Sequence, residues 1–167
     1  QFPDSEYADK ATEILAGLDI KDEEAKAQAQ KAAEEQKMQA EASEMNYEYD
    51  PESKHNFVIL VKASGKALSE IKSTIVDFNR KNFGSEGLKM SAVVYQKGVQ
   101  MISIKSFNSA QTAMNYQKMF ENSGSLATIV ANNPNYFIVS FTNYALFFKD
   151  KDHENYKVWA EVKYKGL

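Results

Sequence analysis

His55-Asn-Phe-Val-Ile-Leu-Val-Lys62 opens the stretch, closing near Thr142, from which the architecture of this chain is read. A short, β-rich and almost wholly apolar run predicts a central strand covered on at least one face. Ala63-Ser-Gly65 breaks it. A helical pattern follows, with Leu68, Ile71, Ile75 and Phe78 three or four apart, Phe83 five further on, and Glu70, Lys72, Asp77 and Lys81 on the outer face. Gly84 and Gly87 stop that helix. Leu88–Tyr95 and Gln100–Phe107 then read as two strands joined by Gln96-Lys-Gly-Val99, a hairpin with its glycine available for positive φ. Asn108 or Ser109 caps a second helix whose inward stripe is Ala113, Tyr116 and Phe120, with Met114 beside it. Asn122-Ser-Gly-Ser125 ends it, and Tyr136–Phe141 is the last strand. The order strand, helix, strand, strand, helix, strand predicts an α+β chain with a ferredoxin-like βαββαβ sandwich, in which one antiparallel four-stranded sheet carries two helices on one face.

The 167 residues have room for one such domain and an appendage. With 43% hydrophobic and 26% charged residues the composition is that of an ordinary water-soluble protein. A net charge of −3 and a pI near 5.5 provide no global field toward nucleic acid or anionic membrane. No apolar run approaches the roughly 18–20 residues that span a bilayer. The absence of cysteine excludes disulfides, thiol catalysis and cysteine–metal sites. Because the chain starts at Gln1, without methionine or signal peptide, it reads as a piece of a longer protein with its targeting segment upstream.

Three regions are expected. In residues 1–20, Pro3, Asp4 and Ser5 make a helix start, with Tyr7, Ala8, Ala11 and Leu15 along one face. Residues 21–50 hold a charged Ala/Glu/Lys-rich helix over 22–45 and a linker with Tyr47, Tyr49 and Pro51 at its end. High helix propensity and many Glu/Lys pairs support that helix, but without leucine or isoleucine at core positions it makes a poor coiled coil and reads as a solvated spacer or the last helix of a repeat array. Residues 51–167 form the sandwich with a C-terminal helix. After the last strand, Thr142-Asn-Tyr-Ala-Leu-Phe-Phe148 reads as a capped apolar turn. A charged break at Lys149-Asp-Lys-Asp152 then precedes a final helix bearing Tyr156, Trp159, Val162 and Tyr164. Aromatics at helical spacing are usually core, so packing on the sandwich is the expectation and a partner-binding patch its rival.

Chemical signals are sparse. His55 and His153 sit in no metal or triad spacing and read as strand-edge or surface residues. Asp150-x-Asp152-x-Glu154 lacks the glycine and distal glutamate of a calcium loop. No phosphate-binding glycine loop or nucleophile elbow occurs. No catalytic residue, cofactor or metal is assigned. Lys97-Gly98 stands where RNA-recognition strands begin, but Val99-Gln-Met-Ile-Ser-Ile104 has no aromatic to stack on bases.

Three family resemblances add to this. Phe2-Pro-Asp-Ser-Glu-Tyr7-Ala-Asp-Lys-Ala11 resembles the Tyr/Phe-Pro-x-Ser-x-Tyr-Ala-x-x-Ala pattern closing tetratricopeptide repeats of envelope proteins; it covers about half a repeat, whose partners belong upstream. An ordinary capped helix is the other reading. Phe107-Asn-Ser-Ala110-x-x-Ala113 resembles the motif before helices of SPOR domains, which share this strand order and bind peptidoglycan glycans. The longest resemblance, over residues 50–164, is to the C-terminal domain of Bacteroidetes tetratricopeptide lipoproteins of gliding motility and type IX secretion. It rests on His55 and Phe57, Phe78-Asn79, Phe107, Ala113 and Tyr116. Ile138-Val139-Ser140, Asn143-Tyr144-x-Leu146, Tyr156, Trp159 and Tyr164 complete it. It departs at Val139 and Trp159, where isoleucine and phenylalanine are expected.

The resemblance implies a non-enzymatic scaffold domain of a periplasmic, outer-membrane-associated lipoprotein, anchored by a lipidated cysteine upstream. Its partners would be envelope proteins of a secretion or motility machine, with peptidoglycan as the alternative and no nucleic acid. The candidate partner-binding residues are Tyr95 and Lys105, on the sheet face opposite the helices, together with Tyr144, Tyr156, Trp159 and Tyr164 toward the C-terminus.

Overall fold

The computed structural model describes the backbone of residues 6–167 and the side chains of residues 23–167. Its contacts divide the chain into one unit of residues 1–41 and another of residues 42–167. A single helix, α1 (Glu6–Glu44), takes up nearly all of the first unit. It runs unbroken where two separate segments were expected at residues 20 and 21. Nothing in Leu18-Asp-Ile-Lys-Asp22 stops a helix, since neither glycine nor proline interrupts it. From Glu23 to Glu41 almost every side chain is solvated, as the low apolar content requires. The repeat-like stripe of Tyr7, Ala8, Ala11 and Leu15 lies outside the described side chains.

The second unit is α+β, with a four-stranded antiparallel sheet in the order β2-β3-β1-β4. The strands are β1 (His55–Val61), β2 (Lys89–Gln96), β3 (Val99–Phe107) and β4 (Tyr136–Ser140). β1 is central, with every residue buried, as its continuous apolar run demands. Gly98, at φ 76°, makes the tight turn between β2 and β3, a backbone conformation that a side chain would strain.

One sheet face takes α2 (Gly65–Phe83) and α3 (Ala110–Glu121). Ile75 and Phe78 of α2 and Ala113, Tyr116 and Phe120 of α3 are buried along the expected stripes. Phe57 from β1 meets the rings of Tyr116 and Phe120 at 5.1 and 4.9 Å. Ser109 opens α3 with a reciprocal cap: the Thr112 N–H donates to Ser109 Oγ (3.3 Å) and the Ser109 N–H to Thr112 Oγ1 (3.2 Å). Beyond α3 a short helix, α4 (Ala127–Asn132), leads to β4.

The opposite face is also covered, by the final helix that was expected to pack and by a helix where a turn was expected. The predicted apolar turn at 142–148 is a helix, α5 (Phe141–Asp150), and α6 (His153–Tyr164) follows it. The cap is Ser140, the last residue of β4, whose Oγ accepts the Asn143 N–H at 3.2 Å. Strand therefore passes directly into helix, and Tyr144, Phe147 and Phe148 recur at helical spacing. Phe147 stacks on Tyr95 of β2 (5.5 Å) and meets Phe137 of β4 edge-on (5.4 Å). The sheet is thus the middle of three layers.

Candidate functional site

The second layer of aromatics decides which predicted residues can meet a partner. Tyr95, Tyr156, Trp159 and Tyr164 are each at most 2% exposed, which corrects their reading as partner-binding residues: Tyr95 lies under Phe147 and Phe148, and Tyr156, Trp159 and Tyr164 turn into the unit. Tyr47, ahead of β1, packs on Tyr156 (4.8 Å) and Trp159 (5.5 Å). Asn143 holds this leading segment as a second backbone strand would: its Oδ1 accepts the Glu48 N–H (2.9 Å) and its Nδ2 donates to the Glu48 carbonyl (2.8 Å). Lys105 and Tyr144 are part-exposed, and the Tyr144 hydroxyl lies 3.4 Å from Ser103 Oγ. The face opposite α2 and α3 is therefore an interior.

The titratable groups of that interior are structural. His55 is fully buried, not the edge or surface residue that its spacing predicts, because it begins the central strand. Its Nδ1 donates to the Ser53 carbonyl (2.8 Å), leaving Nε2 to accept the Tyr164 hydroxyl (2.9 Å). Burial holds its pKa below the usual value, against the pull of the Ser53 carbonyl and Asp50. Burial, then Asp150 and Asp152, pushes the Tyr47 phenol up to about 12. On the other face of the sheet, between α2 and α3, Tyr116 donates to Asn79 Oδ1 at 2.7 Å and is raised by burial as well. Each of these groups is spent on holding neighbouring elements together. Among the described residues no group of three or more His, Asp or Glu is placed to hold a metal ion, and no helix is long and apolar enough to cross a membrane.

The open surface of the sheet is its β2 edge. β2 has eight residues, is paired on one side only, by β3, and leaves Val93 and Val94 42% and 63% exposed. Which backbone groups it presents follows from the ladder. Leu60 N–H donates to the Asn135 carbonyl and Phe141 N–H to the Lys54 carbonyl, both at 2.9 Å, so even-numbered residues of β1 turn toward β4. By antiparallel alternation Phe57, Ile59 and Val61 then bond β3 at Ile104, Ile102 and Gln100. Met101, Ser103 and Lys105 in turn bond β2 at Val93, Ser91 and Lys89. The N–H and C=O groups of Met90, Ala92 and Val94 are left pointing outward. Their side chains share the face that carries α2. There β2 and α2 border a groove of about 380 Å³ lined by Val76, Arg80, Phe83, Leu88 and Met90.

A different pocket of about 250 Å³, of mixed lining with Leu60, Val99 and Pro134 on its apolar side, lies where the β4 entry meets the hairpin. Lys62, Gln96, Asn132, Asn135, His153 and Glu154 contribute to it. The chain matches no protein-family model, no curated protein and no solved structure. Sequence reasoning missed the β2 edge because Lys89-Met-Ser-Ala-Val-Val-Tyr-Gln96 reads like any half-buried strand. The available signal was Val93-Val94, two adjacent apolar residues of which alternation can bury only one.

Proposed function

We propose that this chain carries a non-enzymatic protein-interaction domain, a ferredoxin-like sandwich that docks partners at the edge of its sheet. The observation that carries the reading is the exposed, apolar β2 edge with outward backbone groups at Met90, Ala92 and Val94 beside the α2 groove. Such an edge gives an incoming strand main-chain hydrogen bonds for affinity and a neighbouring groove for specificity. The strand order β2-β3-β1-β4, with α2 and α3 on one face, supports the ferredoxin-like description. The resemblance over residues 50–164 supports reading the domain as part of a periplasmic, outer-membrane-associated lipoprotein that would serve secretion or gliding machinery. The tetratricopeptide-like residues 1–20 would then be the end of a repeat array.

The test is affinity purification of the tagged full-length protein from its native cells after crosslinking, beside the Val94→Lys variant. Recovery of envelope proteins by the wild type and their loss from the variant is the expected result. Equal recovery by both refutes the edge as the docking surface.

A second reading, glycan binding, is favoured by the amide-lined pocket of Gln96, Asn132 and Asn135 with His153 and Glu154, donors and acceptors suited to sugar hydroxyls. Retention on purified peptidoglycan, lost in Asn132→Ala/Asn135→Ala, would put this reading first.

A further inference from the structure

The β2 edge has the features of a surface that fits itself. We infer that its occupant is β2 of a second copy of this chain, paired antiparallel about a two-fold axis at Ala92. The inference rests on the reading of this edge as a docking surface and names what docks there.

Register is the first argument. Only Met90, Ala92 and Val94 present outward backbone groups, and an antiparallel pair must match bonding residues with bonding residues. A dyad at Ala92 does so: Ala92 faces Ala92 of the second copy, and Met90 faces its Val94. Every outward N–H and C=O of these residues then has a partner.

Shape is the second. Val94 is the most exposed large apolar side chain of the described residues, at 63%. The groove of about 380 Å³ is bounded on the strand side by Met90 and on the helix side by Val76, itself 43% exposed. Setting Val94 of one copy opposite Met90 of the other brings that valine to the mouth of the groove. The dyad repeats the fit, so knob and hole are each filled twice, as an isologous interface requires.

Charge is the third. Lys89, the strand's one charged residue, falls opposite Tyr95 of the second copy and not opposite its own counterpart. Lys97 at the hairpin tip lies just beyond one end of β2 and Glu86 just before the other, both exposed. The antiparallel dyad therefore brings Lys97 of each copy toward Glu86 of the other. Natural edges that avoid pairing place lysine or proline along the strand; β2 has no proline and its one lysine, Lys89, stands at its first position.

The experiment uses the full 167-residue chain in sedimentation velocity over a range of concentrations. The expected result is a reversible monomer–dimer equilibrium. Val94→Lys and Glu86→Lys should each weaken it about tenfold or more, with an unchanged thermal melt at concentrations low enough for the wild type to be monomeric. Adding Lys97→Glu to Glu86→Lys should restore it. The chain has no cysteine, so Ala92→Cys reports the register directly. Paired strands place facing bonded Cα atoms about 5.5 Å apart, within disulfide reach. Mild oxidation should give a covalent dimer from Ala92→Cys and not from Ser73→Cys on the exposed face of α2.

A wild-type chain that stays monomeric at every concentration overturns the inference. So does a dimer that survives both Val94→Lys and Glu86→Lys. A monomeric wild type whose capture of envelope proteins is nonetheless abolished by Val94→Lys refutes self-pairing while leaving the docking edge intact. A dimer that captures no envelope protein upholds self-pairing and refutes the adaptor reading.

Discussion

The Tyr164 hydroxyl of α6 donates to Nε2 of His55, at the first position of the central strand, over 2.9 Å inside the domain. The bond joins the start of the sheet to the helix that closes its second face. Tyr164→Phe leaves the buried imidazole nitrogen without a donor, which costs about 1–3 kcal/mol. Urea unfolding at neutral pH, followed by circular dichroism, should show the midpoint fall without a change in slope.

The same imidazole makes stability depend on pH. Its pKa is lowered from 6.5 in the folded chain, chiefly by burial, so around and below that value the unfolded chain binds the extra proton. Stability therefore rises with pH across this window. The contribution of His55 is fully present above about 6.5 and is lost as pH falls through the folded value. Urea midpoints measured from pH 7.5 downward should decline in the wild type and decline less in His55→Gln. Equal slopes would contradict a buried neutral His55.

At the alkaline end the sign reverses. Tyr47 titrates at about 12 when folded, and Tyr95, Tyr116, Tyr156 and Tyr164 are raised too, burial being the first cause in each. Stability from these phenols is complete below about 10 and is lost as pH rises through the folded values. Phenolate absorbance from Tyr95, Tyr116, Tyr156 and Tyr164 should be absent while the chain stays folded. The buried ones should ionise together with the loss of helical circular dichroism.

Trp159 is the only tryptophan and is fully buried against Tyr47, Tyr156 and Tyr164. Asn143→Ala removes both hydrogen bonds to Glu48 and should destabilise by about 1–3 kcal/mol. Tyr47→Ala removes the ring above Trp159. Both should shift native tryptophan emission to the red and speed amide exchange in residues 45–50, leaving exchange in β1 slow.

Ile59 and Ile75 are fully buried on the two sides of one layer of the core. Aspartate at either position places an unpaired charge there and should abolish the cooperative melt of the domain. A melt like that of the wild type would remove these residues from the core.

Much of the sheet was legible because periodicity and turn chemistry agree in it. The apolar β1, the Lys97-Gly98 turn and the Ala113, Tyr116, Phe120 stripe each point to one local structure that packing then rewards. The second layer was legible only in part. Aromatic spacing predicted a packed α6, but Asn143 and Tyr144 looked like a turn because the cap that starts α5 is the last residue of a strand. His55 was misplaced since a histidine at a strand end is usually wet, and only the distant Tyr164 makes its burial tolerable. The candidate site fared worst: the Val93-Val94 pair signals that one valine stays out, but the exposure of both depends on β2 being left outermost, a fact of topology.

The central position of β1 has a consequence for how the chain is made. During synthesis His55-Asn-Phe-Val-Ile-Leu-Val61 leaves the ribosome well before β3 and β4, the strands that flank it. Until they arrive, a seven-residue segment with no charge, glycine or proline has no native neighbour. The nascent chain therefore carries this segment uncovered until β3 and then β4 have been made, an interval in which a holding chaperone would find it open.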